Sequence, residues 1–323
     1  MVATPHIRIC NSAEDLLRFR PLWEEICAAR PHTIFQTFDL NQLVAHTFAE
    51  RETPFVVVAD GSYGSAIVPA ALRRDGSLRL LGEEMFDYRC FLHQGDPEVL
   101  HAALGALAQL GCPLEITAVR EAEAALKDEL PLLSFCGAPC VLHQDVSAEE
   151  FAATHSRLGR NLRRLARLGF ELHRYRGDYP ALLRFIYDKK AAQDPRSLFH
   201  DPLRIEFMVQ AASLLPDRFE VFTLEDEASS AAALVVLRED DCRRFYTGWF
   251  SPELEKHSPG LSLIYEITRQ SLAEGLDCDY MTGEQPYKMR LATSSVPLYR
   301  VRATAEQLAV FGQEHAAELI QAA

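Results

Sequence analysis

The sequence predicts a two-domain α/β protein, and three observations support this fold class. The chain has 323 residues, more than the roughly 100–200 residues of one typical domain. Apolar patterns with the periods of strands and helices alternate along it. The alternation restarts after residues 131–147, where Pro131 and Pro139 interrupt it. We therefore expect one domain over residues 1–145 and a second over residues 146–323.

Composition and charge restrict the possible functions. Hydrophobic residues make up 48% of the chain and charged residues 24%, as in ordinary globular proteins. The formal net charge of −13 argues against binding DNA or an anionic membrane, since phosphate-rich partners are met by basic surfaces. No apolar run approaches the ~20 residues that span a bilayer, and the first residues lack a signal-peptide pattern. We expect no DNA partner, no membrane insertion and a cytoplasmic location.

The cysteines indicate neither a disulfide framework nor a metal site. The chain has eight of them, and they are scattered, unlike the closely spaced cysteines of small secreted domains. Cys136, Cys140 and His143 form the closest group, and their spacing matches no zinc signature. We therefore predict reduced thiols and no bound metal.

Cap and turn signals divide the first half into helices and strands. Ser12 and Asp15 have the S-x-x-D spacing of a helix start, and Pro31 ends that helix near Arg30. The turn at residues 60–64 joins two strands as a hairpin. The predicted elements are a strand at 6–10, helices at 12–30 and 39–50, strands at 55–59, 66–72 and 78–81, a helix at 98–110 and a strand at 114–119.

The second half opens at a capping box formed by Ser147 and Glu150. Periodicity then predicts helices at 148–168, 178–192, 202–214 and 260–274, with a helical turn after residue 284. Predicted strands lie at 170–176, 219–224, 231–238, 242–249, 277–282 and 297–303.

One strand-loop-helix segment of the second half is a candidate anion site. A strand ends near Trp249, a loop carries Ser258-Pro259-Gly260, and a helix follows. The first N–H groups of a helix have no partner inside it and lie at the positive end of the helix dipole, so they can bind a pyrophosphate. Gly260 has no Cβ to keep a ligand away from the backbone. The alternative is that Pro-Gly simply turns the chain into a helix.

Motifs around this segment follow one another in the order seen in a known family. They are Tyr246 to Trp249, Ser258-Pro259-Gly260, a helix ending at Gly275, a strand from Asp277 to Met281, and Gly283 to Lys288. With these motifs and the basic segment Arg157 to Leu168, the chain resembles the CelD-like acetyltransferases of the GNAT superfamily, which are relatives of the Fem-type peptidyltransferases. The resemblance covers residues 150–292 well and residues 1–145 weakly.

The resemblance implies a fold and a donor. The fold would be α/β (α+β), with tandem GNAT-like domains that are each a mixed, mostly antiparallel sheet flanked by helices. The second domain would hold the donor, which is acyl-CoA (acetyl-CoA) or, as in the Fem relatives, an aminoacyl-tRNA. The first half has no counterpart of Ser258-Pro259-Gly260 before a helix, so we expect no donor site there.

The resemblance also implies residue roles in the donor site. The donor would be bound by His257, Ser258, Pro259, Gly260, Leu261, Ser262 and Leu263. Tyr287 would protonate the leaving thiolate, Glu284 would take the proton of the attacking amine, and Lys288 would neutralise a phosphate or carboxylate. Asp277 and Asp279 share a strand face, and either could replace Glu284. The alternatives are a packed Tyr287, a helix-capping Glu284 and a solvated Lys288.

The acceptor would contact a second set of residues, Arg160, Arg164, Tyr246, Trp249 and Asp279. The two arginines belong to a basic helix with arginines at 157, 160, 163, 164 and 167, which fall largely on one side. This face would bind a phosphorylated acceptor or an arm of tRNA. Alternatively, it is a solvated face paired with acids such as Glu149 and Glu150.

The sequence therefore predicts an enzyme, an N-acyltransferase that moves an acyl group, acetyl in the simplest case, from acyl-CoA to an amine. The acceptor would be a small molecule, a sugar precursor or a peptide. Two alternatives remain. One is aminoacyl-tRNA-dependent peptidyl transfer, in which binding weakens steeply with salt, and the other is a catalytically degenerate GNAT fold that serves as a binding module.

Overall fold

The chain folds into two compact units. In a computed structural model, the described residues are 5–120, 133–137, 140–142, 145–177, 179–283 and 285–314. The first unit is Met1–Gly137 together with Pro297–Ala323, and the second is Ala138–Val296. The predicted domains, 1–145 and 146–323, stay a prediction. In the structure, Pro297–Ala323 belongs to the first unit, whereas the predicted boundary assigns these residues to the second domain.

The first unit contains an eight-stranded sheet. Its elements in chain order are β1 (His6–Cys10), α1 (Ala13–Leu16), a 3₁₀ turn (Leu17–Phe19), α2 (Arg20–Ala29), a 3₁₀ turn (Ile34–Gln36), α3 (Phe38–Thr47), β2 (Glu52–Gly61), β3 (Gly64–Arg73), β4 (Leu78–Leu80), β5 (Leu92–Gly95), α4 (Glu98–Ala108), β6 (Leu114–Arg120) and β7 (Leu133–Gly137). The C-terminal segment adds a last strand (Leu298–Ala303) and a last helix (Ala305–Glu314).

The last strand of the chain completes this first sheet. The strand order is β1-β2-β3-β4-β6, then Leu298–Ala303, then β7, with β5 pairing β3. These strand pairs are antiparallel except β4 with β6, which are parallel at Leu78 and Leu114. Helix α4 is buried from Val99 to Ala108, because it packs against β2, β3 and the last helix.

The second unit contains a seven-stranded sheet. Its elements are β8 (Cys140–Leu142), α5 (Ala148–Thr154), α6 (Ser156–Arg167), β9 (Glu171–Arg176), α7 (Pro180–Gln193), a 3₁₀ turn (Leu198–His200), α8 (Pro202–Leu214), a 3₁₀ turn (Pro216–Arg218), β10 (Phe219–Glu225), β11 (Ser230–Arg238), β12 (Cys242–Phe250), a 3₁₀ helix (Pro252–His257), α9 (Pro259–Ala273), β13 (Asp277–Asp279), α10 (Pro286–Leu291) and β14 (Ser294–Ser295). The last strand and helix of the chain are accordingly β15 and α11.

This second sheet is also mixed and mostly antiparallel. Its order is β14-β8-β13-β12-β11-β10-β9, and β12 with β13 is its parallel pair. Successive strand residues point to opposite faces. Trp249 of β12 contacts Phe185 of α7, with ring centroids 5.8 Å apart. The next residue, Phe250, packs in an apolar cluster with Leu263 of α9, so α7 and α9 cover opposite faces.

A buried ionic network joins this sheet to α9. Arg243 of β12 is 0% exposed, and its guanidinium donates to Glu220 Oε2 at 2.8 Å, to Ser271 Oγ at 3.0 Å and to Glu274 Oε2 at 2.6 Å. Arg174 of β9 also donates to Glu220, at 2.5 Å. Although burial by itself would raise the pKa of Glu220, the two guanidinium partners hold it below its usual value, so this buried carboxylate is ionised and paired.

Three predicted elements differ from the structure. The helix predicted at 12–30 is interrupted by a 3₁₀ turn and ends at Ala29. The helix predicted at 148–168 is two helices, because the backbone of His155 between them leaves helical geometry (φ −105°, ψ 29°). The strand predicted at 277–282 ends at Asp279. The carboxylate of Asp279 accepts a hydrogen bond from the N–H of Met281 at 2.7 Å, and Met281 itself has a left-handed conformation with φ of 62°. The predicted capping box at Ser147 is confirmed.

Candidate functional site

The second sheet opens where β12 and β13 diverge. The two strands pair in parallel from Cys242 with Asp277 to Arg244 with Asp279. There β13 ends, whereas β12 continues to Phe250 and keeps β11 as its partner on the other side. Among the described residues, this part of β12 has no strand partner on the β13 side. An unpaired strand edge presents backbone donors and acceptors to a ligand.

A β-bulge lies at this divergence. Val235 of β11 pairs with Thr247, but Val236 pairs with Phe245, so Tyr246 is an extra residue of β12. A bulge bends its strand and changes the direction of a side chain, and bulges are frequent next to active sites. Tyr246 is half-buried. Burial first, and then the charge of the Tyr246 phenol, raises the pKa of Tyr187 on α7 well above its usual value.

The helix α9 begins with unpaired backbone donors. Ser258 precedes it in a left-handed conformation (φ 50°, ψ 53°), and its side chain makes no capping bond. Pro259 has no N–H, and the first backbone bond of the helix joins Ser262 N to Ser258 O at 2.9 Å. The N–H groups of Gly260 and Leu261 therefore have no hydrogen-bond partner in the described part of the chain. Two donors at the positive end of a 15-residue helix suit an anion.

Gly260 packs closely against Phe250. A Cβ at this position would lie 3.2 Å from Cδ1 and 3.3 Å from Cβ of Phe250. The rest of the predicted donor segment differs in exposure. The side chains of Ser262 and Leu263 are buried at 0% and 1% exposed, and Ser262 Oγ donates to the carbonyl of His257 at 3.5 Å. Within this segment, the N–H groups of Gly260 and Leu261 are therefore the ones without a hydrogen-bond partner among the described residues.

Asp279 is held in place by an ion pair. It is 3% exposed, and its carboxylate binds Arg244 of β12 as well as the backbone of Met281. The Arg244 guanidinium also donates twice to Glu239, at 2.8 and 2.7 Å. Both oxygens of Asp279 are therefore engaged at the end of β13, so this carboxylate fixes the position of that strand end.

The predicted catalytic residues lie on and before α10. Glu284 lies outside the described residues, as do the side chains of the group Cys136, Cys140 and His143. Lys288 is buried at 6% exposed, and its ammonium donates to the carbonyls of Met281 at 3.4 Å and Thr282 at 2.5 Å. It therefore ties α10 to the turn after β13 and is not a solvated lysine.

Tyr287, which precedes Lys288 on α10, is half-buried and packs against the apolar core of the second unit. The contacts of Lys288 with the turn after β13 fix the start of this helix, so the position of the phenol is tied to the end of β13. Trp249, predicted to contact the acceptor, is 7% exposed. Its indole packs under Phe185 of α7, with the ammonium of Lys189 6.0 Å from its ring centroid.

The basic helix α6 presents its arginines to solvent. Leu165 and Gly159 face inward, and a Cβ at Gly159 would lie 3.1 Å from Tyr265 Oη of α9. The arginines at 157, 160, 163, 164 and 167 are all exposed. Within the described ranges, none of them lies in ion-pair contact with a carboxylate, including Glu149 and Glu150. Helix α6 contacts both α9 and the 3₁₀ helix Pro252–His257, so this basic face adjoins the start of α9.

The corresponding position in the first unit is filled by the chain itself. Arg89 forms a parallel bridge with Val119 of β6, with N–H···O distances of 3.0 Å from Arg89 to Ala118 and 3.2 Å from Arg120 to Arg89. The Glu83 carboxylate accepts the N–H and the hydroxyl of Thr117 at 3.1 and 2.6 Å. In the first unit the segment after β4 therefore continues the pairing with β6 beyond the parallel pair, whereas in the second unit no described strand continues the pairing between β12 and β13.

Several features of the site were not predicted from the sequence. The bulge at Tyr246 depends on pairing with β11, which no local pattern reveals. Arg243 and Arg244 were a visible signal, because two adjacent arginines inside an otherwise apolar strand need buried partners.

Among the described residues, no three His, Cys, Asp or Glu side chains are grouped to hold a metal ion. No helix in the described part of the chain is long and apolar enough to cross a membrane.

Three features identify the class of fold. They are the end of pairing between β12 and β13, the bulge at Tyr246, and the start of α9 with two N–H groups that have no partner among the described residues. Residues 152–289 match the family model of the acetyltransferase (GNAT) domain. The second unit thus carries a GNAT-type domain, and the resemblance to the GNAT superfamily is confirmed there. None of the curated proteins compared with the chain matches it by sequence.

Solved structures show the same architecture over most of the chain. L-PGS from Bacillus licheniformis has a TM-score of 0.58 at 12% identity, covering 92% of this chain and 97% of its own. FemX has a TM-score of 0.57 at 10% identity, with 91% and 98% covered. A tandem GNAT protein from the clavulanic acid biosynthesis pathway has a TM-score of 0.51 at 11% identity, with 92% and 98% covered. The predicted fold class, tandem GNAT-like sheets flanked by helices, is confirmed.

Proposed function

We propose that this protein is an N-acyltransferase that uses acyl-CoA, with acetyl-CoA as the simplest donor, to acylate an amine of a small-molecule, sugar or peptide acceptor. The observation that carries the proposal is the pair of N–H groups at Gly260 and Leu261 without partners in the described chain. They stand at the start of a long helix, directly after a strand with an open edge. Backbone donors at a helix start bind pyrophosphate, which every CoA thioester contains.

The donor would lie along the opening in the second unit. Its pyrophosphate accepts hydrogen bonds from the N–H groups of Gly260 and Leu261. The exposed Lys256 and the half-buried His257 add positive charge beside them. The rest of the donor follows the unpaired edge of β12 past the bulge at Tyr246. The filled edge of β6 supports a first unit that binds no donor.

The chemical step would be direct transfer. The amine nitrogen attacks the thioester carbonyl carbon, so that a C–N bond forms and the C–S bond breaks. Tyr287 gives its phenolic proton to the leaving thiolate sulfur, and the amine gives up a proton to Glu284 or to water. The tyrosine then regains a proton from solvent. Holding donor and amine in contact supplies most of the acceleration.

Lys288 would assist by position. Its two bonds to the turn after β13 fix the start of α10 and hence Tyr287. Lys288→Met should therefore lower kcat more than it raises KM for the donor. A role in neutralising the donor's phosphate would raise the dissociation constant of CoA instead.

Thermal unfolding with acetyl-CoA, longer acyl-CoAs and free CoA tests the proposal. A ligand that binds only the folded state at a hundredfold excess over its dissociation constant adds ~2.7 kcal/mol, which corresponds to a rise in Tm of about 5–10 °C for a domain of this size. Absence of any shift with every thioester would overturn the acyl-CoA assignment.

Two substitutions separate binding from chemistry. Gly260→Val drives a side chain into Phe250 and moves the helix start, so the dissociation constant of CoA should rise at least about tenfold. Ala273→Val, which adds the same side chain at the exposed end of α9, is the matched control. Tyr287→Phe should bind donor normally and turn over about a hundredfold more slowly or worse. Equal loss of binding and turnover in the Tyr287 variant would contradict its role as the acid.

The exposed arginine face of α6 favours a second candidate, transfer of an aminoacyl group from tRNA. Five guanidinium groups beside the donor helix, none ion-paired within the described ranges, suit a chain of phosphates. This candidate predicts tight tRNA binding that weakens steeply with salt and no stabilisation by acetyl-CoA. A catalytically degenerate fold predicts that neither donor supports turnover in the presence of amines.

A further inference from the structure

A recess lies on the other face of the second sheet, between α7 and α8. It has a volume of about 370 Å³ and is lined by Arg184, Asp188 and Ala191 of α7, by Phe199 and His200 of the 3₁₀ turn, and by Ile205 of α8. Sites for small molecules in proteins commonly have volumes of about 300–1,000 Å³. The recess is therefore large enough for a small ligand.

Two apolar side chains lie at the bottom of the recess and are held in place by packing. Phe199 is 6% exposed and Ile205 is 8% exposed. The ring of Phe199 stacks on that of Tyr187, with centroids 4.2 Å apart, and Tyr187 is completely buried. A ring that is itself packed on a buried ring loses little freedom when a ligand covers it.

The charges at the rim are not balanced. Arg184 pairs with Glu206 at 2.5 Å, and Glu206 also accepts from Gln210 at 2.9 Å. These bonds, the one from Arg184 first, hold the pKa of Glu206 below its usual value, so the Arg184 charge is compensated. Asp188 is exposed, and no described cation lies in ion-pair contact with it. The rim therefore carries one uncompensated carboxylate.

His200 of the 3₁₀ turn also lines the recess. Its Nε2 lies 3.1 Å from the carbonyl oxygen of Asp194, and because a carbonyl only accepts, Nε2 carries the hydrogen of this bond. The bond holds the ring in place at the rim. The recess thus combines an anionic rim with an apolar floor.

We propose that this recess is a binding site for a small organic cation, a primary ammonium group on an apolar body. The ammonium donates to the Asp188 carboxylate and the apolar body covers Phe199 and Ile205. The site is separate from the donor helix, since α7 and α9 cover opposite faces of the sheet. The proposal goes beyond acyl transfer and does not depend on it. An anion of the same shape meets the carboxylate and is rejected.

The test compares three probes of one shape on the full chain, by ligand-observed saturation-transfer NMR. They are 2-phenylethylammonium, 2-phenylethanol and 3-phenylpropanoate. The cation should bind about tenfold more tightly than the neutral alcohol, since its hydrogen bond is made between charged groups, and the carboxylate should not bind. Equal binding of cation and carboxylate, or no binding of the cation, would overturn the proposal.

Variants identify the site. Asp188→Asn should weaken the cation about tenfold and leave the alcohol unchanged. Ala191→Leu fills the recess with a side chain that favours helix and should remove binding of both. Glu227→Gln removes an exposed carboxylate elsewhere in the second unit and should change neither. Circular dichroism confirms the fold of each variant. Unchanged cation binding in the Ala191 variant would place the cation elsewhere and refute the assignment.

Discussion

Replacing Glu52 by glutamine should stabilise the first unit at alkaline pH and leave its stability at acid pH unchanged. Glu52 begins β2 opposite Arg73 of β3, and the Arg73 guanidinium is already paired with Glu84 at 2.8 Å. Burial, which outweighs the attraction of Arg73, raises the pKa of Glu52 from 4.5 to about 7, and the charges of Glu84 and Glu83 add to the rise.

The sign follows from the proton balance. A carboxyl whose pKa is higher in the folded state binds more protons when folded, so stability falls as pH rises between the two values. The difference between about 7 and 4.5 corresponds to about 3 kcal/mol, which partial exposure reduces to about 2 kcal/mol. The loss begins near pH 4.5 and is complete above pH 7. Glutamine carries no charge at any pH, so the variant should gain about 2 kcal/mol at pH 8 and nothing at pH 4.5.

Urea unfolding followed by tryptophan fluorescence measures this difference. The chain has two tryptophans, Trp23 in the first unit and Trp249 in the second. In a Trp249→Phe background the fully buried Trp23 reports on the first unit alone. Glu50→Gln, which removes a neighbouring exposed carboxylate, is the control. Parallel stability curves for the Glu52→Gln variant and its parent protein between pH 5 and pH 8 would refute the reasoning.

Three further predictions concern other parts of the molecule. Arg243→Met should destabilise the second unit by about 3 kcal/mol, because it leaves buried carboxylates with fewer partners; a change below about 1 kcal/mol in Trp249-monitored unfolding would contradict this. Isothermal titration should give one CoA per chain, since the edge of β6 is filled; a second site would refute that account. Replacing Arg160 and Arg164 by glutamate should reduce the salt dependence of tRNA binding by about 1.5 in log-log slope; Arg196→Glu is the control, and an unchanged slope would exclude the α6 face.

Local signals in the sequence were sufficient for most elements. The Ser147 and Glu150 capping box is visible because its residues are three apart, and α9 starts at the predicted Pro259-Gly260. The strand predicted at 297–303 is present, but its partners β6 and β7 come from far earlier in the chain. Pairing between distant segments depends on tertiary packing, which no short window records.

The candidate site shows the same limit. The helix start at Gly260 can be predicted from Pro259-Gly260 alone, because the first N–H groups of any helix have no partner inside it. The burial of Lys288 and the ion pair between Asp279 and Arg244 do not, because charged side chains are exposed unless tertiary partners bring them inside. The sequence therefore predicts the segment proposed to bind the donor, but it could not show which neighbouring charges are engaged.

The most direct test of the central claim observes the backbone N–H groups of Gly260 and Leu261 themselves. In ¹H–¹⁵N correlation spectra of protein labelled at glycine and leucine, titration with acetyl-CoA should shift the amide protons of Gly260 and Leu261 downfield as they bond to phosphate. The shifts should saturate at one equivalent, and Gly260→Ala assigns the glycine signal. If acetyl-CoA binds while both signals stay in place, the donor is held elsewhere and the account is wrong.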